Sequence, residues 1–161
     1  MRGNERDAPD LYPMTATCRE ACCSALPRQS VTELFERGYR RNYAEPLSIR
    51  GTARSDAEGN SAEFSLELAA GRIAAVGFHA TTCATLIAYS ELIAETVPGF
   101  AIGIAREFSA ADLVDALAGV PEQKRARAAL AIEAFRVALD AAESTDAGRQ
   151  STESEIGEDS A

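Results

Sequence analysis

Four cysteines and a single histidine are the side chains of this 161-residue chain with chemistry beyond charge and packing. Three thiols crowd together as Cys18, Cys22 and Cys23, and the fourth, Cys83, stands alone. A Cys-x3-Cys-Cys cluster lacks the two separated pairs of a zinc site, and His79 by itself leaves the ligand count short. In a reducing compartment the cluster is not a disulfide framework; soft-metal binding and an adventitious disulfide both stay open for it. Cys83 is the more informative thiol. It follows Phe78-His79-Ala80-Thr81-Thr82, where a strand pattern ends and a helical one begins. Free N–H groups and aligned peptide dipoles at a helix start favour a thiolate, the form that binds metals, attacks persulfides or reacts with oxidants. The competing reading is a buried cysteine packing as a small hydrophobe. His79 lies four residues earlier on the strand, and no third group to orient it as a catalytic partner is evident. No catalytic residue is assigned, and the chain is read as a non-enzyme.

Composition bounds what such a thiol can serve. Hydrophobic residues make up 46% and charged residues 25%, an ordinary globular mix for about one domain. With 16 Lys and Arg against 25 Asp and Glu, the net charge is −9. Phosphate contacts dominate nucleic-acid affinity, so DNA and RNA are poor partners for this chain. It has no Trp, and its aromatics do not alternate with basic runs as in single-strand binders. No apolar run approaches the roughly 18–20 residues that cross a bilayer, so no membrane role is expected. The segment Met1-Arg2-Gly3-Asn4-Glu5-Arg6-Asp7 is charged and lacks the apolar stretch of a secretory signal. A soluble, cytoplasmic protein is expected.

Holding a thiol at a strand–helix junction requires a core. Residues 1–29, with Pro9, Pro13 and Pro27 among polar residues, read as a disordered arm. Residues 144–161, rich in Ser, Thr, Gly and acid, read as a disordered acidic tail. The domain between them, residues 30–143, opens on Ser30-Val31-Thr32-Glu33, a capping box. Its helix is expected to run to about Tyr43 and bury Val31, Leu34 and Phe35. Arg37, Arg40 and Arg41 form either a solvated helix end or a patch for an acidic partner. Three strands follow: Leu47–Ala53, alternating weakly; Ala62–Leu68, with Phe64, Leu66 and Leu68 inward; and Ile73–Phe78, joined to the second by the turn Ala69-Ala70-Gly71. Three helices complete the pattern. One runs over Thr82–Val97 with an apolar stripe and stops at Pro98-Gly99. Another starts at Ser109 and ends at Gly119. The last spans Pro121 to about Glu143 and is apolar on most of its circumference, so other elements or a partner, including a second copy, must cover it. Strands segregated from helices define an α+β layer: an N-terminal helix, a three-stranded antiparallel sheet, then three helices on one face.

In this order the core resembles the iron–sulfur cluster assembly scaffolds, the IscU type and the N-terminal domain of the NifU type. Gly77-Phe78-His79-Ala80-Thr81-Thr82-Cys83-Ala84-Thr85-Leu86-Ile87-Ala88 is similar to the family's second cysteine motif, a Phe-containing strand running into Cys and a small-residue helix. Val120-Pro121-Glu122-Gln123-Lys124-Arg125-Ala126-Arg127 resembles the third, Leu-Pro-Pro-x-Lys-x-His-Cys. Glu58-Gly59-Asn60 falls where the family carries Cys-Gly-Asp. The resemblance covers about residues 30–143. It implies an iron–sulfur cluster or iron as cofactor, with Cys83 and Lys124 on the cofactor side and Cys83, Glu58 and Asn60 on the metal side. It also implies a cysteine desulfurase or another cluster-assembly protein as partner.

The sequence departs from that pattern at most ligand positions. Glu58 stands at the first cysteine, Asn60 at the aspartate, and Ala126 and Arg127 at the His-Cys pair; Cys83 and Lys124 keep their types. Clusters are held by about four ligands, mostly thiolates, so this is read as a divergent scaffold that does not hold a full cluster by itself. It would act in cluster assembly, or in sulfur or iron delivery, through Cys83 with a partner. The alternative is an interaction module that kept the fold and lost the cluster, with Lys124, Arg125 and Arg127 as a basic contact.

Overall fold

The computed structural model describes residues 27–155, so the readings on Cys18, Cys22 and Cys23, on most of the arm and on residues 156–161 lie outside it. The chain enters through a two-residue strand, β1 (Gln29–Ser30), and turns at once into helix α1 (Val31–Arg41). The predicted arm therefore gives way at Gln29, because β1 pairs in parallel with β6 (Leu117–Ala118). A dipeptide strand shows no alternation in sequence. The Ser30 hydroxyl accepts the Glu33 N–H and caps α1, so one half of the predicted capping box forms.

The sheet is built on strands β4 (Ser61–Ala69) and β5 (Arg72–Ala80), paired antiparallel with a register shift at Glu67/Leu68. Ala70 and Gly71 close the hairpin, both with positive φ, the backbone that the twist of a two-residue hairpin requires. The first strand is not continuous over Leu47–Ala53. It is two dipeptides, β2 (Ile49–Arg50) and β3 (Arg54–Ser55), both antiparallel to β4. Because β5 occupies one edge of β4 throughout, both must lie along the other. Between them Gly51 sits against the backbone of the last helix, where a Cβ would come within 2.7 Å of the Ala138 nitrogen.

Two helices cover the inner face of the sheet. Helix α2 (Ala84–Thr96) packs on β5, and the long α5 (Arg127–Glu155) packs across β2, β3 and β4. In the middle of this layer Phe64 meets both Phe78 and Phe135, with the Phe64 and Phe135 rings 5.5 Å apart. Helix α1 packs against α2 on its far side. Enclosed by neighbours, α2 is buried at every position from Thr85 to Ala94, and the predicted stripe is corrected to a helix covered all round. Two short helices, α3 (Ile102–Ala105) and α4 (Ala110–Ala116), pack against α5. The sequence reading missed α3, and α4 ends earlier than Gly119 because Leu117 enters β6. Reciprocal bonds between Ser109 and Asp112 cap α4.

The last helix also differs from expectation at both ends. It begins at Arg127, after a 3-10 turn at Glu122–Lys124 that Pro121 precedes. A proline suits the first turn of either kind of helix, so its position does not separate them. At the other end α5 continues past Ser144 to Glu155, where an unstructured tail was expected. Ser144, Thr145 and Ser151 each bond the carbonyl four residues back, and no proline intervenes. Arg106 pairs with Asp140 and Glu143 on the same helix. No helix among the described residues is long and apolar enough to cross a membrane.

Candidate functional site

The first wall of the site is the turn from β3 to β4. Asp56 organises it: one carboxylate accepts the Glu58 N–H, the Asn60 N–H and the Asn60 amide at 2.9–3.2 Å. Gly59, at φ +86°, lets the chain double back. Desolvation pushes the Asp56 pKa up. The hydrogen bonds from Asn60 and the Glu58 N–H, with the nearby Arg127 charge, outweigh it and hold the carboxyl below its ordinary value. Asn60, expected on the metal side, directs its amide into Asp56 and braces the turn.

The second wall is the junction of β5 and α2. The Thr81 hydroxyl accepts the Ser61 N–H at 3.1 Å, and the Asn42 side chain bonds both the N–H and the carbonyl of Ala80. Those bonds fix where the strand ends. Cys83 is then the N-cap of α2, with extended backbone and no hydrogen bond from its side chain to the cap. Its sulfur is free, half-buried and packed against the core. The sequence reading placed Cys83 at this junction, and the structure has it there.

The third wall is the start of α5. Arg127 is 12% exposed and reaches across to the first wall. Its Nη1 donates to Asp56 Oδ2 at 3.1 Å, and its Nη2 donates to Glu58 Oε2. Glu58 foremost, then Cys83, raise the guanidinium pKa and outweigh its burial. The Nε–H of Arg127 is buried without a hydrogen-bond partner. Three of the sequence-predicted positions, Glu58, Cys83 and Arg127, therefore converge from segments far apart in the chain. Asp56 was missed, although an Asp four residues before Asn, with Gly between them, carries the signal of a side-chain-closed turn.

Other candidates lie apart. Lys124 is exposed on the 3-10 turn, and its ammonium makes no hydrogen bond or ion pair among the described residues. His79 is turned to the Ala44 carbonyl at 2.9 Å. The basic cluster on α1 is largely engaged within the fold: Arg37 pairs with Glu95 and Arg41 with Glu91. As a patch for an acidic partner it is reduced to Arg40.

The donor set does not suit a cluster. No group of three or more His, Cys, Asp or Glu able to hold a metal exists among the described residues. Glu58 is paired with Arg127, a fixed cation, where a cluster needs thiolates.

A helix, an antiparallel sheet and covering helices that bring three segments together around one cysteine define a domain of the scaffold class that serves iron–sulfur cluster assembly. The chain belongs to that class by family: the NifU-like N terminal domain matches residues 28–147. No curated protein matches the sequence. A solved crystal structure of a hypothetical protein is similar at 14% identity, over 70% of this chain and 96% of its own, with a TM-score of 0.37.

Proposed function

We propose that this cytoplasmic, non-enzymatic member of the family works in iron–sulfur cluster assembly without holding a cluster of its own, and handles sulfur through Cys83 in company with a cysteine desulfurase. The observation behind this reading is the half-buried Arg127 guanidinium at the site that Cys83 borders, with an Nε–H still unpartnered. A cation with a donor in reserve stabilises an anionic sulfur, whether thiolate or persulfide. In the transfer, the Cys83 sulfur attacks the outer sulfur of the donor persulfide. The bond between that sulfur and the donor cysteine breaks, and the donor sulfur leaves with the electron pair and takes up the Cys83 proton. Cys83 becomes the persulfide, with no net oxidation or reduction.

The experiment mixes the purified full chain with a desulfurase and cysteine, and reads intact and peptide masses. One added sulfur atom on Cys83, absent from Cys83→Ser, is the expected result. Modification confined to Cys18, Cys22 and Cys23, or none at all, would reject the proposal.

A second reading, an interaction module, draws on the exposed Lys124 and Arg125 beside the site. Partner binding that survives Cys83→Ser and is lost when both charges are reversed would favour it. Arg127 no longer belongs to that patch, because its charge is met within the fold.

A further inference from the structure

Metal sites commonly hold distant segments of a small domain together, since ligand bonds to one ion close long loops. Here the segments that carry the family's ligand positions are held by a side chain of the protein itself. Arg127 bonds Asp56 and Glu58 across 71 and 69 residues of sequence. The planar guanidinium presents several donors in a fixed fork. It supplies charge and directed bonds at the point where a cation would otherwise sit. The turn it grips is rigid, because Asp56 closes it from inside through Asn60 and the Glu58 N–H. Thr81 ties the start of β4 to the Cys83 junction.

We infer that Arg127 is an internal substitute for a metal ion: a guanidinium tie that joins the β3–β4 turn to the start of α5, while Thr81 ties the Cys83 junction to β4, and makes the domain's fold independent of metal. The inference rests on the contacts of Arg127 and not on the sulfur-transfer reading. Persulfidation of Cys83 can fail while the tie stands, and the reverse.

The test uses the full chain with Cys18, Cys22 and Cys23 replaced by Ser, so that zinc has no tail thiols to bind. Thermal unfolding is followed in chelator and in stoichiometric Zn(II). With Arg127 in place, the melting temperature is expected to be the same in both. Arg127→Ala is expected to melt about 3–6 °C lower, and Arg127→Lys, which keeps the charge but not the fork, falls between them. The double variant Glu58→Cys/Arg127→Cys places two thiolates beside Cys83. It is expected to take up one Zn(II) and to melt higher with zinc than with chelator. A zinc-dependent melting temperature while Arg127 is present would overturn the inference. So would unchanged melting of Arg127→Ala, or failure of the double variant to bind zinc. If Arg127→Ala does not fold, Arg127→Lys decides: melting equal to the parent rejects the tie, and a lower value supports it.

Discussion

Two of the arginine–carboxylate ties of this chain, the seam of α1 with α2 and the candidate site, reverse which partner is enclosed. At the seam of α1 and α2, Arg41 meets Glu91 at 2.7 Å, with 37% of the arginine side chain exposed and 2% of the glutamate. Arg41 also donates to the Val76 carbonyl at 3.2 Å. One turn away Arg37 joins Glu95 and Gln29. At the candidate site the arginine is enclosed, while Glu58 is 66% exposed and Asp56 24%. The enclosed partner decides what each tie can do. A buried carboxylate without its arginine has no water to turn to, so the seam is a device for stability. Carboxylates near the surface recover solvation when their arginine leaves, so the site tie is the weaker of the two for stability.

Breaking the seam should have the largest effect. Arg41→Ala leaves Glu91 enclosed among Gly38, Ile87 and the rest of α2. Removing one partner of a buried pair costs about 3–5 kcal/mol. Because Arg41 itself is partly in water, about 3 kcal/mol is expected. Urea unfolding at neutral pH would measure it. A loss below that of Arg127→Ala under the same conditions would invert the comparison.

The sequence made the local elements legible and left the ties hidden, for a physical reason. Helix α1 announces itself through Ser30 and Glu33, the hairpin through alternation around Phe64 and Phe78, and α2 through the stop at Pro98-Gly99. Cys83 could be placed because strand and helix patterns meet there. Glu91 could not: a lone acid in an apolar helix shows neither its burial nor an arginine 50 residues earlier. Arg127 was visible as a lost ligand, but its grip on Asp56 is a long-range contact without local periodicity. Strands of two residues, such as β1, β2 and β3, fall below the length at which alternation can be read. Helix α5 outran its expected end because composition alone was read as disorder over 144–155.

Two glycines sharpen the contrast through packing. At Gly51 an added Cβ would meet the Ala138 nitrogen at 2.7 Å and its Cα at 2.9 Å. Those atoms belong to the backbone of α5 and cannot rotate aside. At Gly38 the closest atoms are Glu91 Cβ and Ile87 Cγ2, both at 2.9 Å, with a carbonyl at 3.2 Å. Two of these are side-chain atoms, and alanine also favours the helix in which Gly38 sits. Gly51→Ala is expected to cost about 2 kcal/mol and Gly38→Ala about 1 kcal/mol, within the range for overpacking. Chemical denaturation of both variants checks the order. Equal losses would mean that the sheet edge shifts as freely as the helix seam.

The smallest effect separates the two regions by acidity. Burial pushes the Glu91 pKa up, and neighbouring Glu95 adds to it, against the pull of Arg41. The Arg37 hydrogen bond holds the Glu95 pKa down, and that of Asp56 is also lowered. A carboxyl raised by folding binds more protons folded than unfolded between its two pKa values, so its contribution grows as pH falls through that interval. A lowered carboxyl behaves oppositely: its contribution is complete above the unfolded value and disappears as pH falls through the folded one. As pH falls from neutrality towards the ordinary carboxylate values, Glu91 is therefore the one of these three whose contribution grows. Unfolding free energy should rise slightly over that range, by less than about 1 kcal/mol. Glu91→Gln, which cannot titrate, should remove the rise, whereas Glu58→Gln at the site should leave it intact. A rise that persists in Glu91→Gln, or vanishes in Glu58→Gln, would place the responding group at the site rather than at the seam.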